Sequence, residues 1–377
     1  HQKLEGRRLQ QPLEASLEVE GGTTLQNIVS HCFELMEAHP ALHALGSASH
    51  AREGLRALCN IPLHGPLKLM LTAARVLQKQ TFDSHLAAMI VSAGLASRVG
   101  LDDHDTDLLI LSALICDIGE MYVSPRHPGQ PLRPTEWKQF AMHPLLGRAF
   151  LKAFTHFPAA LADSVLHHHE RLDGSGYPSG LAAADVSPLG QLTAVANVAS
   201  VIIMRGEYAQ LSAHVSALCE RLVLALTLVP GEFPPAAVSC IVEALANSGN
   251  DGGVTATGNY EQRVLPTLKQ LRSARLLAEA LVNSAPARRL AAVAEFALSA
   301  LRGLDKSLRA TGIYDFAQLA VLESDPARMG KTCLMLDEVN WRLHDLARLV
   351  YLRTAQGGDA DELARVADLL AALNAPR

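Results

Sequence analysis

The chain has 377 residues, 49% hydrophobic and 19% charged, an ordinary globular composition with room for two or three domains. Its 33 basic and 38 acidic side chains leave a net charge of −5, which excludes the broad basic surface of a general binder of nucleic-acid polymers. Six cysteines are too sparse for a disulfide scaffold, and no apolar stretch is long enough to span a membrane, so a reducing, cytoplasmic setting is expected.

The N-terminus has no secretory layout, and the chain, opening on His1, is compatible with a fragment of something longer. Residues 1–64 read as an N-terminal helical region. His31, His39, His43 and His50 lie in it at irregular spacings, expected of surface or core positions rather than ligands. The segment from Asn60 to Pro66 interrupts the helical pattern. A central helical domain follows at 65–247. Leu108–Ile115 and Ala159–His167 carry apolar residues at three- and four-residue spacings. Thr135, between Pro134 and Glu136, reads as a helix start; Trp137 and Phe140, three apart, are expected to pack in the core. Ser187-Pro188 puts a capping hydroxyl before a proline at a first helical position, and Gly206 ends that segment.

Residues 248–258 read as a polar, glycine-rich linker. From 259 to 377 a C-terminal helical bundle is expected, with helices over Leu265–Val282, Ala287–Leu301 and Thr332–Leu352; the same Leu/Ala-rich helices could pair two copies as a homodimer. Alternating Val/Ile/Thr strands are hardly visible. The fold class is all-α.

Sixteen histidines are present, and the densest group is His167-His168-His169-Glu170. Neutral imidazoles suit Zn, Fe, Mn or Ni, and neighbours at a helix end can aim at one ion if the helix turns there. The next residues, Asp173-Gly174-Ser175-Gly176-Tyr177-Pro178, form a turn-rich loop whose glycines permit unusual backbone angles.

His168-His169-Glu170 with Asp173-Gly174-Ser175-Gly176-Tyr177-Pro178 resembles the signature of the HD-GYP domains, bacterial signalling modules related to HD-type metal phosphohydrolases. The resemblance runs from about Thr81 to Tyr208 and takes in Asp117-Ile118-Gly119, Pro128-Gly129, His143-Pro144 with Gly147, and Gly180-Leu181. It implies a multi-helix domain in which histidines and aspartates hold two or three metal ions and hydrolyse cyclic di-GMP to pGpG or GMP. The implied ligands are His85, a His-Asp pair at 116 and 117, His143, His168, His169 and an aspartate at 197. Arg205 and Tyr208 fall near the family's substrate-contacting Arg and Tyr.

The pattern breaks at several of these positions. Position 116 is Cys and 197 is Asn; Glu120, Ser200, Thr81 and His127 stand where relatives carry Lys, Asp, Glu and Lys. In the family's geometry, the changes at 116 and 197 remove ligands from one metal position, while Asp117, His143, His168 and His169 remain for the other. One divalent ion (Fe, Mn, Ni or Zn) is expected at those four residues, or none. A buried Cys116 is expected to act as a small hydrophobe, and Glu120 to be solvated, with a rebuilt metal site using Glu120 as the alternative. The resemblance therefore implies a degenerate signalling module that acts by binding cyclic di-GMP or a protein partner. The alternatives are an active metal-dependent cyclic di-GMP phosphodiesterase in which Asp117 is catalytic, and a structural scaffold whose histidines are packed or solvated without ligands.

Overall fold

A computed structural model describes residues 22–123, 134–204, 215–246, 262, 264–285, 287–314, 323–357 and 360–375. Among the described residues there are helices and no strand, only one isolated bridge between Asp173 and Ala182. The linker at 248–258, the Pro128-Gly129 pair, His127, Arg205, Gly206 and Tyr208 lie outside the described residues.

The chain forms two compact units: His1–Gln130 with Gln139–Cys219 and Phe233–Gly249, and Pro131–Lys138 with Glu220–Glu232 and Asn250–Arg377. The first takes in both the N-terminal region 1–64 and most of the residues 65–247. Its opening helices are α1 (Leu25–Ala38), α2 (Pro40–Gly46), α3 (Ser49–Ala57), α4 (Gly65–Leu77), α5 (Lys79–Val99) and α6 (Asp103–Ile115). A 3₁₀ turn, Ile118–Tyr122, precedes α7 (Pro134–Phe140), most of which counts with the second unit. Helices α8 (His143–Phe154), α9 (Ala159–His167) and α10 (Pro188–Met204) belong to the first, α11 (Val215–Thr227) divides after Cys219, and α12 (Pro235–Ala246) returns to the first.

Helix α5 is the hub of this unit. It is packed by α1, α2, α3, α6, α10 and α12, and every residue from His85 to Ala96 is buried. A helix covered on all sides carries apolar or small residues around its circumference rather than along one stripe, which HLAAMIVSAGLA does. Gly94 permits the closest of these contacts, because a Cβ there would lie 2.1 Å from the Leu45 carbonyl oxygen.

Sequence signals set the helix ends around the site. Asp102 caps α6 by accepting the Asp105 N–H at 2.8 Å, and the Ser187 hydroxyl accepts the Gly190 N–H at 3.2 Å ahead of Pro188. Helix α9 spans Ala159–His167, as the apolar spacing predicts. Ser164 on α9 and Thr193 on α10 share a buried hydrogen bond of 2.9 Å that ties the two helices together. Trp137 and Phe140 are both buried, as expected.

The second unit is built on α13 (Leu265–Ser284), α14 (Arg288–Ala310), α15 (Pro326–Ala355) and α16 (Ala360–Leu373), with Pro266 harmless in the first turn of α13. Their apolar stripes meet in one core that includes Leu271, Leu301, Val339, Leu343 and Val350. Two polar features interrupt it. Arg221 and Arg342 pair with Glu338 at 3.0 and 2.9 Å, and Arg342 also pairs with Glu232. Buried Thr267 and Asn340 share a hydrogen bond, with the Asn340 amide donating to the hydroxyl at 3.1 Å. Thr267→Val keeps the shape but strands the buried amide, so urea unfolding should show a loss of about 1–3 kcal/mol. Adding Asn340→Leu should recover part of that loss.

Candidate metal centre

Five elements bring the site together. His85 comes from the buried face of α5; Cys116 and Asp117 follow directly after α6; His143 opens α8; His168 and His169 follow α9; Asn197 lies on α10. The apposition of Asp117 and His143 depends on Gly119. A Cβ at 119 would stand 2.0 Å from the His143 carbonyl oxygen, so only glycine lets the 3₁₀ turn touch the start of α8. Helix α9 ends at His167, with His168 as its cap. The chain turns there, and this lets both His168 and His169 face Asp117. His167 points aside instead: its Nδ1 accepts the Ser187 N–H at 3.1 Å.

Asp117 is the centre of the cluster. Its Oδ2 lies 3.0 Å from His85 Nε2, and its Oδ1 lies 3.0 Å from the Nε2 atoms of both His143 and His168. His169 Nε2 is farther from Oδ1, at 4.0 Å. Ligand atoms of Asp117, His143, His168 and His169 all fall within 4.8 Å of one another, as do those of His85, Cys116 and Asp117.

The hydrogen bonding fixes the tautomers. His143 Nδ1 lies 2.8 Å from the Phe140 carbonyl oxygen and His168 Nδ1 lies 2.6 Å from that of Val165. A carbonyl only accepts, so both Nδ1 atoms carry hydrogen and, in the neutral rings, both Nε2 atoms carry lone pairs. Those two Nε2 atoms stand 3.2 Å apart beside a carboxylate oxygen. Three lone-pair donors so close repel one another unless a cation or a proton sits among them. Metal bonds of about 2.1 Å would place neighbouring donors roughly 3.0–3.4 Å apart. Asp117, His143 and His168 meet that spacing, and His169, 4.0 Å from Asp117 Oδ1, is near enough to complete a set for one divalent ion.

The other half differs. Cys116 is fully buried, as a core residue would be, and the Asn197 amide donates to its Sγ at 3.7 Å. Burial and the neighbouring Asp117 charge hold the thiol well above its usual range, so it stays neutral. Ser200 turns its hydroxyl to the Asn197 carbonyl oxygen at 2.9 Å, back onto its own helix. Glu120 departs from expectation. It is buried at 7% exposure rather than solvated, because the 3₁₀ turn packs tightly on α8, and it is absent from both clusters of ligand atoms.

Burial alone would raise the Asp117 carboxyl, but hydrogen bonds from His143, His168 and His85, made where a proton is held at Nε2, outweigh it and hold it well below the usual range. Burial pushes His168 below the usual imidazole range and His169 further, the latter also through the neighbouring rings. The sign follows from proton uptake. Below about pH 6.5 the unfolded chain takes up protons on these rings more readily than the folded chain does, and near pH 4 the same holds for Asp117. Metal-free protein should therefore lose stability steadily as pH falls from 7 towards 4. Urea midpoints across that range measure it.

The signature loop is built around the same residues. A Cβ on Gly176 would lie 2.4 Å from the Glu170 Cα, so the loop runs backbone against backbone there. Glu170 is buried and accepts the Ser179 and Leu181 N–H groups at 2.8 and 2.9 Å. Asp173 accepts the Ser175 N–H at 2.9 Å, and Gly174 has φ +77. The Tyr177 ring stacks on His169, centroids 4.5 Å apart, and Pro178 follows it. Glu170 and Tyr177 belong to the motif, but residue identity does not reveal their roles, since their partners are backbone amides and a ring in another turn.

Residues 70–218 match the family described as HD domain. The chain is 32% identical over 142 residues to the cyclic di-GMP phosphodiesterase PA4108 of Pseudomonas aeruginosa, covering 37% of this chain and 34% of that protein. It is 29% identical over 131 residues to the cyclic di-GMP phosphodiesterase response regulator RpfG of Xanthomonas campestris, covering 33% and 32%. A cyclic di-GMP phosphodiesterase of Thermotoga maritima is 29% identical over 121 residues, covering 31% and 33%. The match spans about a third of the length of each relative. Among the described residues no helix is long and apolar enough to cross a membrane.

Proposed function

With residues 70–218 an HD domain whose relatives are cyclic di-GMP phosphodiesterases, we propose that this chain is a degenerate HD-GYP-type signalling module. It holds one divalent ion (Fe, Mn, Ni or Zn) through Asp117, His143, His168 and His169. It acts by binding cyclic di-GMP or a protein partner, with hydrolysis impaired. The observation that carries this reading is the contact between Cys116 and Asn197: the amide donates to Sγ at 3.7 Å, while the thiol turns its own hydrogen to the Ala113 carbonyl oxygen at 3.6 Å.

A bound ion would supply positive charge for phosphate oxygens and activate a water. Hydrolysis of a phosphodiester draws on two such ions, one for the attacking and one for the leaving oxygen. With His85 and Asp117 as the remaining strong donors in the second position, an ion there is weakly held, because an amide brings no formal charge and a buried thiol must first give up its proton. Binding of an anionic ligand at the first ion does not need the second. The reading includes cytoplasmic residence and pairing of two copies through the C-terminal helices, which sedimentation of the purified chain measures.

The second reading is an active phosphodiesterase with Asp117 catalytic. The clustering of His85, Cys116 and Asp117 ligand atoms within 4.8 Å favours it. A turnover assay separates the two. Purified chain with cyclic di-GMP and added Mn, Fe or Ni should bind the dinucleotide and release almost no pGpG or GMP. Clear metal-dependent release, abolished by Asp117→Ala, would establish the active enzyme instead.

A further inference from the structure

The three later histidines are not held alike. His143 and His168 are fixed by Nδ1–H donation to the Phe140 and Val165 carbonyl oxygens. Among the described residues His169 has no hydrogen bond to either ring nitrogen; its ring lies 4.0 Å from the His168 ring and edge-on to His143. It is also the most exposed of the three, its side chain 18% accessible against 0% for the other two.

What restrains it is aromatic stacking. Tyr177 covers His169 with planes 19° apart, and the Tyr177 N–H donates to the His169 carbonyl oxygen at 3.2 Å. Tyr177 is in turn held by its loop. Glu170, one residue from His169 and 1% exposed, grips the far limb through the Ser179 and Leu181 amides. The near limb is pressed on residues 169–171 at Gly176, and the Asp173–Ala182 bridge closes the base.

We propose that Glu170 and Tyr177 are positioning residues for His169: the buried carboxylate clasps the loop, and the loop holds the tyrosine ring flat on an imidazole that has no carbonyl to orient it. The stack takes the place of the second hydrogen bond that orients a metal-bound histidine. Glu170 suits the clasp because each carboxylate oxygen accepts a separate amide, which a Gln cannot reproduce without turning an N–H₂ onto a backbone N–H.

This inference rests on the proposed single-ion site, and its test separates the two. Zn²⁺ alone is titrated calorimetrically into the metal-free chain and its Tyr177→Phe, Tyr177→Leu and Glu170→Gln variants. Melting temperatures are recorded, and metal-free crystals of the last two variants are compared with the parent. Tyr177→Phe keeps the stack and should bind as the parent does. Tyr177→Leu and Glu170→Gln should bind about 10-fold more weakly, the size of effect seen when an outer partner of a ligand is lost. In their metal-free crystals the His169 ring should swing away from Asp117 while His143 and His168 stay in place. Unchanged affinity in both variants, or a His169 ring unmoved in both crystals, overturns the proposal. A parent chain that takes up no Zn²⁺ overturns the single-ion reading, and the crystals still decide the role of the stack.

Discussion

Asp117→Asn should abolish metal retention while leaving the fold intact. The substitution keeps the shape of the side chain and removes its charge at the point where both carboxylate oxygens are used, Oδ2 by His85 and Oδ1 by His143 and His168. Losing a unit charge about 4 Å from a cation at the intermediate polarity of a partly buried site is worth about 4 kcal/mol, or roughly 10³-fold in affinity. Among the described residues no other carboxylate joins either group of converging ligand atoms, Glu120 included. Calorimetric titration with Mn²⁺ and metal content after dialysis measure the loss. An affinity within 10-fold of the parent would mean that the ion sits elsewhere.

The converse change should create a second site. Cys116→His with Asn197→Asp replaces a neutral thiol and a neutral amide, now bonded to each other at 3.7 Å, with an imidazole and a carboxylate. Together with His85 and the shared Asp117, these make a four-donor set. Metal content should rise from one to two ions per chain, and phosphodiester hydrolysis should rise from near zero to a measurable rate. The larger ring enters a fully buried position, so the double variant should also lose about 1–3 kcal/mol through overpacking. Either single substitution should fall short, because each breaks the thiol–amide contact while adding only one ligand. A double variant that still takes up one ion would show that the replacements at 116 and 197 do not set the stoichiometry.

Much of the fold is legible in local pattern. Helix α9 ends at the histidine triplet because its apolar spacing stops there, and α10 begins at Ser187-Pro188 because a hydroxyl cap and a proline agree. Where the reading falls short, polar residues mislead it. The spacing predicts a helix ending at Leu301, yet α14 runs to Ala310: Arg302, Lys306 and Arg309 form its wet face while Leu304 and Leu308 stay buried. Helix α15 likewise opens at Pro326 rather than Thr332, capped by Asp325.

At the site, residue type identifies the histidines and Asp117, but their pairing comes from long-range packing. Cys116 and Asn197 are 81 positions apart, and only the packing of α6 and α10 on α5 makes them partners. Glu120 reads as solvated because a lone glutamate usually is. The Gly119 turn against α8 buries it, a consequence of tertiary contact that no local window contains. The clasp at Glu170 is hidden for a related reason: its partners are backbone amides, which leave no mark in the identity of the residues that offer them.

An anomalous-scattering map of crystals grown with Mn²⁺ tests the central claim most directly. One peak among Asp117, His143, His168 and His169, with density around Cys116 and Asn197 explained by those side chains alone, is the predicted result. Two strong peaks bridged by Asp117, with Cys116 or Glu120 coordinating the second, would contradict it.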